Sequence, residues 1–178
     1  MVNSDSQFGV WVIDETVSVS CVERLGDARR LATHMGTQVA VLLSGDTTNA
    51  CQDLIHHGAD RVFIFEQPTD LRTKVCMTSE TLQTFQPRVV FAGGNAPARE
   101  WAALLAARQD WLLISPALMV DWQSGTLKVT RLDYSGRQSC HVTARENETV
   151  VVTMRTGVAE ACPPDLSRSG EIRKIELS

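Results

Sequence analysis

Excess positive charge is missing from this 178-residue chain. Its 17 Lys and Arg stand against 21 Asp and Glu, for a formal net charge of −4. A nucleic-acid binder needs a basic face to meet phosphates, so the balance argues against that class. Long apolar runs are missing too: none approaches the roughly 20 residues that cross a bilayer. The five cysteines, Cys21, Cys51, Cys76, Cys140 and Cys162, are scattered and form no CxxC pair. A disulfide framework, a zinc site and a thioredoxin-type motif are therefore unsupported, and a reducing cytoplasm is the expected setting. The polar residues 1–7 hold neither a basic cluster nor an apolar stretch, and read as neither a secretory signal nor a transit peptide.

Catalytic and phosphate-binding signatures are also lacking. A dinucleotide fold carries GxGxxG after its first strand, where glycine lets backbone amides approach a pyrophosphate. Asp14-Glu15-Thr16-Val17 stands there instead, with two carboxylates that repel phosphate. No P-loop is present, and Ser44-Gly45 and Ser135-Gly136 lack the GxSxG elbow. No catalytic residue and no metal ligand set is expected. His56 and His57 are adjacent and cannot share one helical face as ligands, so with His34 they fit helix ends. His141 belongs to a strand.

What is present is an ordinary globular composition, 43% hydrophobic and 21% charged. A chain near this length buries about 70% of its unfolded surface and needs no staple. Short apolar runs alternate with amphipathic ones. Strands are expected at 8–13, 39–43, 61–65, 89–92 and 112–115. Helices are expected over 19–35, around 50–55, over 71–85, and from Pro97 onward. In the first helix Val22, Leu25, Ala28, Leu31, Ala32 and Met35 form the apolar stripe, with Glu23, Arg24, Asp27 and Arg30 on the wetter face. The last helix is expected to bury Trp101, Ala102, Leu104 and Leu105. Strands without polar alternation, each separated by a helix, give a doubly wound, mainly parallel α/β sheet with helices on both faces. Ligands of such sheets bind outside the carboxyl ends of the strands, here Asp14, Ser44-Gly45, Glu66 and Gly93-Gly94-Asn95.

After Ser115 the connections shorten. Strands at 118–122, 127–132, 139–144 and 150–154 read as an antiparallel extension of the sheet. The expected organisation is one α/β domain over 1–162, with βα repeats to 115 and the extension over 116–155. Residues 163–178 are expected to be a tail or the start of a linker, with a weak strand at 172–177. Gly93, Gly94 and Asn95 form the candidate nucleotide or anion site, because glycine exposes amides at a helix start. The competing and preferred reading is a tight turn with Asn95 as cap. Arg99, one turn on, suits a phosphate or a partner's carboxylate as well as plain solvent. Trp11, Trp101, Trp111 and Trp122 suit core positions, with Trp111 and Trp122 open to an interface role.

Several stretches together resemble the N-terminal domain of the electron transfer flavoprotein alpha subunit, over about residues 8–176. They are Gly58-Ala59-Asp60-Arg61-Val62, Pro87-Arg88-Val89-Val90-Phe91-Ala92-Gly93, and Ala98-Arg99-Glu100-Trp101-Ala102 with Ala106-Ala107-Arg108. Tyr134-Ser135-Gly136-Arg137 and the strand ending at Arg155 complete the set. The chain departs from the family pattern at Ala98, at Ser115-Pro116 and at Leu132-Asp133. The resemblance implies a non-enzymatic scaffold and docking surface for electron transfer between dehydrogenases and an acceptor. It implies FAD, held mostly in a C-terminal domain that would begin about where this chain ends, and a beta-type subunit that carries AMP. Dehydrogenase or quinone-reductase redox partners follow from the same likeness, with Arg99, Arg131, Arg137 and Arg155 as interface candidates. The alternative is a free-standing adenine-nucleotide-binding module of related fold.

Overall fold

Side-chain caps set where three of the helices begin. Ser18 accepts a hydrogen bond from the Cys21 amide at the start of α1 (Val19–Met35), and Asp70 from Thr73 at the start of α3 (Leu71–Phe85). Asn95 does the same for Ala98 in α4 (Ala96–Gln109), which carries Pro97 in its first turn. The short α2 (Cys51–His56) has no side-chain cap. Gly36 closes α1 in the left-handed region, at φ 67°, where its lack of a Cβ removes the steric cost. The computed structural model describes residues 8–45, 50–65, 70–133, 136–145 and 147–175. Residues 1–7, Glu66, Tyr134, Ser135 and Leu177, to which the sequence reading assigned roles, lie outside them.

The strands are β1 (Val10–Asp14), β2 (Val39–Ser44), β3 (Arg61–Phe65), β4 (Val89–Ala92), β5 (Leu112–Gln123), β6 (Thr126–Asp133), β7 (Gln138–Thr143), β8 (Val150–Met154) and β9 (Glu171–Ile175). They form one sheet in the order β7-β6-β5-β8-β4-β1-β2-β3-β9. The chain winds outward from β1 in both directions, through β2 and β3 on one side and β4 on the other, so the switch point lies between β1 and β4. Alternation along β1 divides the core. Val10 and Val12 join Leu25, Leu31 and Leu54 on one face, while Trp11 and Ile13 meet Leu82, Phe85, Trp101 and Leu105 on the other. Trp11 is fully buried and stacks on Phe63 at 5.2 Å between centroids, with its Nε1–H donated to the Phe8 carbonyl at 2.9 Å.

The parallel, helix-covered sheet is as expected; the C-terminal third differs. The 116–155 segment is not antiparallel throughout. β5, β6 and β7 are, but β8 lies between β4 and β5 and runs parallel to both. Its five residues are all buried, which a central parallel strand requires and a hairpin edge does not. The expected strands at 112–115 and 118–122 are one strand, β5, whose register shifts between Ile114 and Ala117. Within 163–178, β9 pairs parallel with β3 at the sheet's far edge.

Two helix faces also differ. Leu104 is 45% exposed and lines a groove between α3 and α4; Ala106 is buried in its place. Arg24, expected on the wet face of α1, is buried. Its position follows from spacing, since 24 falls on the stripe of 21, 25, 28, 31 and 32.

The segment between β8 and β9 crosses α1 and α2. Gly26 lets it lie close, because a Cβ there would run into the Glu160 carbonyl. His57 Nδ1–H donates to the Cys162 carbonyl at 2.7 Å, and Arg30 to that of Glu160 at 3.0 Å. Asp60 anchors the far end. Its carboxylate accepts from Arg29, Arg168 and the Val39 amide, each at 2.8 Å.

Candidate functional site

The carboxyl edge of the sheet contains two different environments. At the switch point, Asp14 at the end of β1 pairs with Arg24 of α1, and the next residue, Glu15, pairs with Lys74 of α3. The Arg24 side chain is only 7% exposed, and burial pushes its pKa down to about 10, so it stays charged at neutral pH. A Cβ on Gly45 would come within 2.8 Å of the Glu15 carbonyl oxygen. Carboxylates and closely packed backbone thus stand where a dinucleotide fold presents free amides. The residues at β1 do not fit a pyrophosphate.

Further along the edge, β4, β5, β6 and β8 surround an open cleft of about 560 Å³. Gly94, Arg99 and Arg155 line it together, with Pro116, Leu118, Leu132, Asp133, Gly136 and Thr156. The proximity has a steric origin. A Cβ at Gly94 would collide with the Met154 carbonyl, so glycine lets the loop after β4 lie against the end of β8. The Arg155 amide donates to the Ala117 carbonyl at 2.9 Å, tying that end to the irregular part of β5.

The remaining expected site residues stand apart. Gly93 is buried, with its Cβ position 3.0 Å from that of Ala98 and 3.6 Å from Arg24 Nη1. Asn95 accepts the Ala98 amide at 2.9 Å, the cap geometry. Arg131 extends toward Asp133, 3.8 Å away, while Arg137 is exposed beyond the end of β6. Trp122 and Trp111 are half-buried against the two core clusters.

Sequence reasoning missed the apolar wall of the cleft, Pro116, Leu118 and Leu132. They come from two strands whose juxtaposition depends on the inserted β8. It also missed the paired roles of Arg24 and Lys74, although Lys74, like Arg24, falls on its helix's buried stripe. The cysteines form no disulfide among the described residues, and burial pushes the Cys21 thiol up to about 12. No described helix is long and apolar enough to cross a membrane.

Comparison with known proteins places this arrangement. Residues 10–178 match the family model described as the electron transfer flavoprotein domain. Protein FixB of Clostridium saccharobutylicum is 28% identical over 95% of the chain and 53% of its own length. The electron transfer flavoprotein subunit alpha of Bacillus subtilis is 31% identical over 85% of the chain and 47% of its own length. That of Thermoanaerobacterium thermosaccharolyticum is 29% identical over 87% and 49%. The chain spans about half the length of the curated relatives it matches. With the match running from β1 through β9, the chain belongs to the electron transfer flavoprotein domain family.

Proposed function

We propose that this chain is the N-terminal part of an electron transfer flavoprotein alpha-type subunit, a scaffold and docking surface for FAD-mediated electron transfer between dehydrogenases and an acceptor. Its supporting observation is the span. Relatives named as alpha subunits match this chain over about half their own length. In this reading the chain is an electron-carrier component rather than a catalyst, and a beta-type subunit is its partner. FAD supplies the redox chemistry and is held by residues other than those at β1, where Asp14 and Glu15 oppose a pyrophosphate. AMP enters only through the beta-type partner. Gly93 and Asn95 act as turn and cap, and Arg131 and Arg137 meet partner surfaces.

A flavin titration tests the division of labour. FAD added to this chain alone is expected to show no saturable fluorescence quenching at micromolar concentrations. Tight stoichiometric binding would make this the flavin-holding part and contradict the proposal.

A further inference from the structure

The cleft at the ends of β4 and β8 differs electrostatically from the rest of the edge. At the β1 switch point the buried cations are neutralised internally, Arg24 by Asp14 and Lys74 by Glu15. Arg99 and Arg155 line the cleft from different elements, and neither guanidinium has an acid partner among the described residues. Pro116, Leu118 and Leu132 give the same cleft an apolar wall. Its volume of about 560 Å³ lies in the range of small-molecule sites. Its walls are held in place by sheet pairing, by the Arg155–Ala117 backbone bond and by the close approach at Gly94.

We propose that this cleft binds a phosphate monoester of a small ring or short apolar chain. Arg99 and Arg155 hold the phosphate, and Pro116, Leu118 and Leu132 cover the apolar part. A phosphate suits the pair better than a carboxylate. It brings close to two negative charges and three acceptor oxygens, enough for two guanidinium forks approaching from separate elements. Asp133 repels a second anionic group, so the ligand carries its charge at one end. It also accepts from a hydroxyl or amine on the other. The inference does not depend on the flavoprotein reading, since it concerns the cleft alone.

The test is an amide-resolved NMR titration of this chain with phenyl phosphate, beside inorganic phosphate and benzyl alcohol. Saturable shifts are expected at the Gly94, Arg155 and Thr156 amides with phenyl phosphate, weaker binding with inorganic phosphate, and none with the alcohol. Arg99→Ala and Arg155→Ala, both at exposed positions, should each weaken binding about tenfold or more, the loss expected for a charge-assisted contact. Arg137→Ala, outside the cleft, should leave binding unchanged. Three results would overturn the proposal. They are no saturable shift with phenyl phosphate on the unmodified chain, equal weakening by all three arginine variants, and inorganic phosphate binding as tightly as phenyl phosphate.

Discussion

Asp60 shows how a recognisable run of residues acquires a physical reason. Gly58 adopts φ 119°, and its Cβ position lies 3.0 Å from the Arg29 side chain. Asp60 then joins Arg29, Arg168 and the Val39 amide. Asp14 and Arg24 matter in another way, as a pair largely removed from water. Removing one partner leaves a buried charge uncompensated, so Asp14→Asn is expected to destabilise the fold by about 3 kcal/mol in urea unfolding. Asp14→Leu with Arg24→Met should be close to neutral. An unchanged unfolding midpoint for Asp14→Asn would show the pair to be idle.

Two aspartates should titrate in opposite directions. Burial raises Asp27 above its ordinary 3.8, against the lowering effect of Arg30. Its favourable contribution is present at low pH and lost as pH rises through the raised value. Hydrogen bonds from the Ser167 side chain and amide lower Asp165 below 3.8. Its contribution is present above 3.8 and lost as pH falls through the lowered value. NMR titration of the two carboxyl groups should place Asp27 above 3.8 and Asp165 below it; the reverse order would refute both assignments.

At the scale of elements, the first four βα units were readable because each carries its own local signals. Apolar strands are short, the helical stripes between them are periodic, and Asn95 reads as a cap; the Ser18 and Asp70 caps are seen only in the structure, and α2 has no side-chain cap. α3 ends at Phe85 as expected, just ahead of Pro87, although Gln86 takes the left-handed conformation without glycine's freedom; the end of α4 was left open, and Asp110 closes it in the same conformation. The place of β8 was not readable, since pairing between β4 and β5 is a long-range fact that no short connection announces. Nor was the cleft, for the same reason. Its cations Arg99 and Arg155 stood out singly in the sequence, but their meeting depends on β8.

Gly26 tests the packing of the crossing segment on α1. Glycine inside a helix is ordinarily worse than alanine by roughly 1 kcal/mol. Here a Cβ would strike the Glu160 carbonyl and crowd Cys162, so the sign should reverse. Gly26→Ala is expected to destabilise by about 1–3 kcal/mol, the cost of overpacking. A stabilised variant in thermal unfolding would mean that the segment does not press on the helix.

At the scale of the whole molecule, one nine-stranded sheet carries two contrasting stretches along its carboxyl edge. The β1 switch point is filled by the chain's own ion pairs, while β4 and β8 leave a cleft whose Arg99 and Arg155 have no acid partner among the described residues. β9 runs parallel to β3, so its last described residue, Ile175, emerges on that same edge. Internal ion pairs at the switch point oppose a dinucleotide there, and the proposed supporting and docking role calls for none at that place. Sedimentation velocity of this chain mixed with the beta-type subunit of the same organism tests that role most directly. A single faster boundary with the mass of a one-to-one complex is the expected result. Two independent boundaries at micromolar concentrations would contradict the docking role.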